Sequence, residues 1–414
     1  MSFDIIKYEP GGDKKNSDFF NEYRVKIYER RKESGLADML GAMHGIVIQV
    51  QHGDALSYLE ELYLMSPYRF DCARLNETHK VYFLSSKPEQ PRMIVLEPLS
   101  EDYEDDITRL NMLYPKARPK RHARYVGEIY RTKDLDETRR LLMSHDIRFH
   151  DPGQENDAFF SNQNFAFTVA SDFTGNRVGY TAIDLDSGAI DFGQTLTLTG
   201  PQLERLGAAE ARSEEAGISA LLRGPDHMAT RILAGEREDA ILEFLSMSNY
   251  YFWGAYNIKD MNSSTNVNRN PDIDDEITSP AKVFTANNTP SFVNSFEGLP
   301  MPTEDFVRNY GRRMHHIAYD VRDGDHPSGQ KNIDYVVEKL QSFGIPFLAH
   351  VVGSCGDEPD LKQIFSKHSE YSILITEYVE RCHGFEGFFT KSNVAALTEA
   401  AGLDERYEHG HVFD

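Results

Sequence analysis

Long apolar runs are missing from this 414-residue sequence: no stretch of about 18 apolar residues occurs, so no segment reads as a bilayer-spanning helix. The first residues, Met1-Ser2-Phe3-Asp4-Ile5-Ile6-Lys7, show no basic stretch followed by an apolar one, and a signal peptide is not expected there. Cysteine is scarce. Cys72, Cys355 and Cys382 are too few and too scattered for a disulfide framework or a thiolate zinc site, and a reducing cytoplasm is the expected home. Positive charge is also short, with 44 Lys and Arg against 66 Asp and Glu and a formal net charge of −22. Phosphate binding needs clustered cations that displace counterions, so nucleic acid is not an expected partner, and neither is a membrane. The one basic run, Lys116 to Arg124, is expected to be a solvated connector.

What remains is ordinary for a soluble globular protein: 40% hydrophobic and 27% charged residues, with length for two or three domains. The informative pattern is a long-range repeat. Four segments share a short apolar strand, a polar turn and an amphipathic helix. They begin at His44 (helix from Ala55), Arg124 (helix from Leu135), His227 (helix from Glu238) and His316 (helix from Ile333). Each helix carries apolar residues at i, i+3, i+4 and i+7, the stripe that packs on a sheet. Strand-like stretches follow, at Met93–Glu97, Phe165–Ala170 and Ile373–Val379. The expected fold class is α+β: four βαβββ modules paired into two domains, 1–215 and 216–414, the boundary lying between Gly200 and Gly224. Residues 260–280 are polar and are read as a long surface loop. The first 30 residues and the tail from Asp404 are read as peripheral, and a C-terminal helix from Asn393 is expected to end at Gly402.

Position within the repeat singles out two of the 15 histidines. His227 and His316 open equivalent strands of the third and fourth modules, which places two imidazoles at matching points on one sheet. Glu377 lies in the last strand of the fourth module between Ile373-Leu374-Ile375-Thr376 and Tyr378-Val379. A carboxylate there is costly unless it is paired or bound to a cation. Two His and one carboxylate with open positions opposite form the ligand set of non-haem Fe(II) oxygenases. Adjacent strand residues point to opposite faces, so His316 rather than His315 is expected at the metal. His44 opens the first module similarly, but the second offers Tyr125 and no clear matching Glu. The N-terminal half is therefore read as structural.

These motifs carry a resemblance. Pro225-Asp226-His227, Met314-His315-His316-Ile317-Ala318, Gln363-Ile364-Phe365-Ser366-Lys367, Thr376-Glu377-Tyr378-Val379-Glu380-Arg381 and Gly384-Phe385 resemble, in order and near-matching spacing, the catalytic half of the 4-hydroxyphenylpyruvate dioxygenase family. That family lies in the vicinal oxygen chelate superfamily, and the resemblance covers residues 225–400. It implies an open barrel-like sheet enclosing Fe(2+) in the C-terminal domain. It also implies a dioxygenase that oxidatively decarboxylates an α-keto acid, expected to be aromatic, and oxygenates its side chain with O2. The chain is expected to be a homo-oligomer. Phe365 with Phe385 or Phe389 would flank the substrate, Gln363 would hydrogen-bond substrate or oxygen, and Asn294 matches the family's pocket Asn. An extradiol ring-cleaving dioxygenase and a metal-dependent isomerase or lyase of the same superfamily are the alternatives. The sequence departs from the family where His315 replaces Gln, at Pro300-Met301-Pro302, and in the loop Gly384 to Lys391. The substrate is therefore less defined than the metal.

Overall fold

The computed structural model of the protein describes residues 3–18, 20–86, 90–151, 159–185, 192–271, 279–291 and 298–404. Its strands, in chain order, are β1 (Gly11–Gly12), β2 (Leu40–Gln49), β3 (Arg69–Leu75), β4 (His79–Ser85), β5 (Arg92–Pro98), β6 (Arg124–Thr132), β7 (Ala166–Phe167), β8 (Arg177–Thr181), β9 (Gln194–Thr195), β10 (Leu222–Arg231), β11 (Tyr251–Ile258), β12 (Ser263–Arg269), β13 (Ala281–Asn287), β14 (Arg313–Val321), β15 (Val352–Gly353), β16 (Asp360–Phe365) and β17 (Ile375–Cys382). They form two sheets, ordered β7-β8-β6-β2-β5-β4-β3-β9 and β1-β11-β12-β13-β10-β14-β17-β16-β15.

The repeat is visible in that order. Three modules run first strand, fourth, third, second: β2-β5-β4-β3, β10-β13-β12-β11 and β14-β17-β16-β15. The second module is abridged to β6-β8-β7 among the described residues. Modules join through antiparallel first strands, β2 with β6 and β10 with β14. The four expected helices follow the first strands, at Ala55–Met65, Leu135–Met143, Arg237–Met247 and Asn332–Ser342. Their apolar faces (Leu59, Leu142, Ile241, Leu340) belong to one cluster that runs through both halves. Complete burial of such side chains stabilises by about 1.5–3 kcal/mol each. A buried ion pair also links the sheets: Lys282 on β13 lies 2.9 Å from Glu128 on β6.

Several expectations are corrected. The first 30 residues are not peripheral. β1 pairs with β11 on the edge of the second sheet, and buried Tyr28 on the helix Asn21–Glu33 accepts from the Phe252 N–H, while the next turn's Arg31 donates to the carbonyls of Leu245, Ser248 and Tyr250. Residues 260–280 are not one loop: β12 occupies 263–269 as a buried internal strand, and 272–278 lie outside the described residues. Two of its asparagines find hydrogen-bond partners across the ladder. Asn266 and Asn268 donate to the carbonyls of Phe284 and Lys282 on the neighbouring strand. The basic run is only partly solvated, since Ala123 and Arg124 are buried and Arg124 donates to the carbonyls of Gly175 and Arg312. Cys355 and Cys382 form a disulfide, leaving Cys72 as the free thiol. The last helix, Lys391–Asp404, continues past Gly402. Among the described residues no helix is long and apolar enough to cross a membrane.

Candidate metal centre

Three adjacent strands carry the three predicted ligands: His227 on β10, His316 on β14 and Glu377 on β17. Glu377 Oε2 lies 3.0 Å from His227 Nε2 and 3.1 Å from His316 Nε2, and the two Nε2 atoms are 3.4 Å apart. All three residues are buried. Such crowding of donors fits a cation. Ligands about 2.1 Å from a shared ion and 90–110° apart are themselves separated by roughly 3.0–3.4 Å.

Each donor is aimed by a second partner, the arrangement that fixes ligand orientation. His227 Nδ1 donates to Asp226 Oδ1 (2.7 Å), which leaves Nε2 as the lone-pair donor towards Glu377. Asp226 is gripped in turn by Arg381, through Nε at 3.0 Å and Nη2 at 2.8 Å. Arg381 also donates to the carbonyls of Gly387 and Phe388, so the same guanidinium anchors the loop that carries Phe388 and Phe389 over His227. Gln363 donates to Glu377 Oε1 (2.7 Å) and accepts from Asn393 on the last helix (3.2 Å), leaving Oε2 to face the imidazoles.

His315 does not point away. The β10–β14 ladder pairs Ala229 with His316 and then Thr230 with Met314, so His315 is the extra residue of a β-bulge. The bulge breaks the alternation that assigned His315 to the opposite face. His315 lines the same cavity, and its Nδ1 lies 2.8 Å from His316 Nδ1. One tautomer set satisfies this contact and keeps His316 Nε2 a donor: His316 Nδ1–H donates and His315 Nδ1 accepts.

The two imidazoles differ in basicity. Burial lowers that of His227, but the Glu377 carboxylate and Asp226 outweigh it and raise the ring's pKa to about 9. His316 goes the other way, held well below its ordinary value by burial and by the neighbouring His315, His227 and Arg231. Asp226 is kept ionised far below the usual carboxylate range: burial opposes this, and Arg381 and His227 overcome it. A cation at the cluster would displace the proton that His227 and Glu377 otherwise share.

A cavity of about 50 Å³ opens beside the three donors. Of the remaining predicted residues, Gln363, Phe365 and Phe389 line it, whereas Phe385 does not, and Asn294 lies outside the described residues. The opposite wall was missed in the sequence: Ser263 and Thr265 of β12, Thr285 of β13, Thr303, and Arg231 at the end of β10. A period-two signal (Ser263, Thr265, Val267) was present, but hydroxyl side chains in place of apolar ones gave it the look of a loop.

No protein-family model matches the sequence, and no curated protein matches it. Solved structures do. A triple mutant of 4-hydroxymandelate synthase from Streptomyces coelicolor superposes with a TM-score of 0.58 at 15% identity, covering 88% of this chain and 99% of that one. A fusion protein of a xylose isomerase-like TIM barrel and 4-hydroxyphenylpyruvate dioxygenase gives 0.56 at 12% identity, covering 97% of this chain, which spans 60% of the fusion's length. At these identities the likeness concerns architecture. The chain has the fold of paired βαβββ modules that characterises vicinal oxygen chelate proteins.

Proposed function

We propose that the protein is an Fe(II)-dependent dioxygenase of α-keto acids, with His227, His316 and Glu377 as the metal ligands. One observation carries this reading: two imidazole nitrogens and one carboxylate oxygen converge to within 3.0–3.4 Å of one another beside a cavity. Two His and one carboxylate with open positions suit ferrous iron that must admit substrate and O2 together. The likeness to a 4-hydroxymandelate synthase and to a 4-hydroxyphenylpyruvate dioxygenase fusion supports the keto-acid class.

Iron held there would supply the chelating site for the keto acid and the activation of O2. The protein's own part is positioning. Asp226 and Arg381 hold the His227 ring, the Nδ1 contact with His315 holds His316, and Gln363 holds Glu377 by one oxygen. Phe365 and Phe389 close the apolar side and exclude water. In the net reaction the keto acid loses CO2. One oxygen atom of O2 enters the new carboxylate, the other enters the side chain, and decarboxylation and side-chain oxidation supply two electrons each.

The test is anaerobic reconstitution with Fe(II), addition of aromatic and aliphatic keto acids, then admission of O2 with CO2 release measured against O2 uptake. Equal amounts of CO2 released and O2 consumed are expected for at least one keto acid. Oxygen uptake with catechols but no CO2 from any keto acid would replace this reading with ring cleavage.

A further inference from the structure

The chain's disulfide lies outside the metal cluster and ties together two strands that serve it. Cys382 ends β17 and is fully buried, whereas Cys355 is partly exposed in the turn between β15 and β16. The rest of that turn, Ser354 and Gly356 to Pro359, is exposed. β15 sits at the sheet edge with two rungs to β16, Val352 to Gln363 and Gly353 to Lys362. Asp360, the first residue of β16, faces Cys382 across the next ladder, so the bridge fastens the turn to the end of β17. What the turn holds matters to the cavity. Val352 packs on the cluster of Phe365, Ile375, Leu397 and Ala401, and Phe365 and Leu397 are cavity wall. β16 also carries Gln363, the partner of Glu377.

This bridge is not a staple of the fold. Disulfide frameworks serve small domains with thin cores, whereas both sheets here have extensive apolar cores and β17 is held by ladders on both sides. Nor do the two sulfurs make a metal site with the neighbouring Glu380, whose oxygens accept from the backbone N–H groups of Gly324 and Ile333. A bridge with one sulfur reachable from water is open to attack by an outside thiolate. Charge selects that thiolate. Asp357 and Glu358 are exposed beside Cys355, and Asp323 accepts from the backbone N–H of His383 beside Cys382. The nearby cations Lys331 and Lys362 are matched by Asp325 and Asp334. The approach is therefore acidic, and it disfavours an anionic thiol.

We propose that Cys355–Cys382 is a thiol–disulfide exchange site for a neutral or cationic small thiol, and that its reduction frees the β15–β16 turn and loosens the apolar wall of the cavity. An outside thiolate attacks Cys355 Sγ, the Cys355–Cys382 bond breaks, and Cys382 leaves as a thiolate that takes a proton from water. A second outside thiolate attacks the outer sulfur of the mixed disulfide and releases Cys355, which is protonated in the same way. Two outside thiols become one disulfide, and the protein gains two electrons and two protons. The inference is independent of the keto-acid reading above.

The experiment treats the full oxidised chain at low salt with cysteamine or glutathione at equal thiolate concentration, then alkylates it and counts labelled cysteines by mass spectrometry. One label, on Cys72, is expected before treatment and three after it. Cysteamine should reduce the bridge about tenfold faster than glutathione, and added salt should narrow the gap. Amide hydrogen exchange should then rise by about tenfold or more over Val352 to Phe365 and stay unchanged over β12. Cys355→Ser should show the same raised exchange with no thiol added, and Cys72→Ser should not. Three labels before treatment, or glutathione acting as fast as cysteamine, would overturn the proposal. So would exchange over Val352 to Phe365 that reduction does not move. A bridge that yields only in denaturant, or a Cys355→Ser chain that does not fold, would make it a staple and overturn the proposal equally.

Discussion

The two halves of the molecule share a frame and differ in what fills it. In the β10–β14 ladder His227 faces Ala318 and His316 faces Ala229; the same rungs of β2–β6 are Gly45 facing Ile129 and Gly127 facing Val47. Across the next ladder Glu377 faces Ala318, and its counterpart Gly179 faces Ile129. Even the bulge is kept, with Val126 where the second sheet has His315. All three ligand positions are thus glycine in the first sheet. Phe167 sits across from Gly179 as Phe365 sits across from Glu377, but with no side chain opposing it the Phe167 ring falls into the ligand's place. A Cβ on Gly179 would lie 2.4 Å from that ring. Phe159, Phe165 and Phe192 stack behind it. The lesson is that the module supplies strand register alone. Chemistry depends on whether three inward positions carry donors around a cavity or glycines under a plug of rings.

The harshest way to break the comparison is to place a donor in the first sheet. A Cβ at Gly127 would lie 2.0 Å from the backbone carbonyl oxygen of Arg177, which cannot yield as a side chain can. Gly127→His should cost about 3 kcal/mol or more and add no metal, read as a fall in the urea midpoint with unchanged iron per chain. The reciprocal test removes the plug. Phe167→Ala should cost about 3–4 kcal/mol without altering iron content, whereas Phe365→Ala, beside an existing cavity, should cost about 1–2 kcal/mol. A smaller effect is expected from Asp226→Asn, which keeps the shape but weakens the grip on the His227 ring. Iron affinity measured by competitive chelation should fall about 10- to 100-fold with little loss of stability.

The smallest effect concerns the seam between the halves. Glu61, on the helix Ala55–Met65, lies in a small cavity with Ile317, Tyr319 and Ile375 of the second sheet. Burial raises its carboxyl to about 7, opposed by a hydrogen bond from Ser369 and helped by Glu370. A carboxyl whose folded pKa is raised binds its proton more tightly in the native state. Its cost is therefore absent below about pH 4.5, grows as pH rises, and is complete above about 7. Glu61→Gln should stabilise by about 1–2 kcal/mol at pH 8, because residual solvent contact reduces the full effect, and by nothing at pH 4. A gain independent of pH would remove the cause assigned to it.

Much of this was legible in the residues, and the failures share a physical origin. The helices and first strands showed themselves because apolar periodicity is how amphipathic elements pack. Glu377 stood out because a carboxylate in an apolar strand requires a partner. His44 misled, since the bulged register sets Gly45, not His44, opposite Ile129 in the place of His227. His315 was assigned outward for a related reason: alternation cannot show where a strand gains a residue. β12 was hidden because its burial is carried by Ser, Thr and Asn in place of apolar residues, with Asn266 and Asn268 donating to carbonyls of the next strand, β13. Arg31 was hidden likewise, its acceptors lying more than 200 residues away.

The central claim is that the second sheet holds one metal ion through three side chains and the first sheet holds none. Iron per chain, measured by elemental analysis after anaerobic loading and desalting, tests it most directly. The account predicts about one ion in the native protein and less than about a tenth in each of His227→Ala, His316→Ala and Glu377→Ala, with circular dichroism unchanged. Two ions in the native protein, or one ion persisting in all three variants, would contradict it.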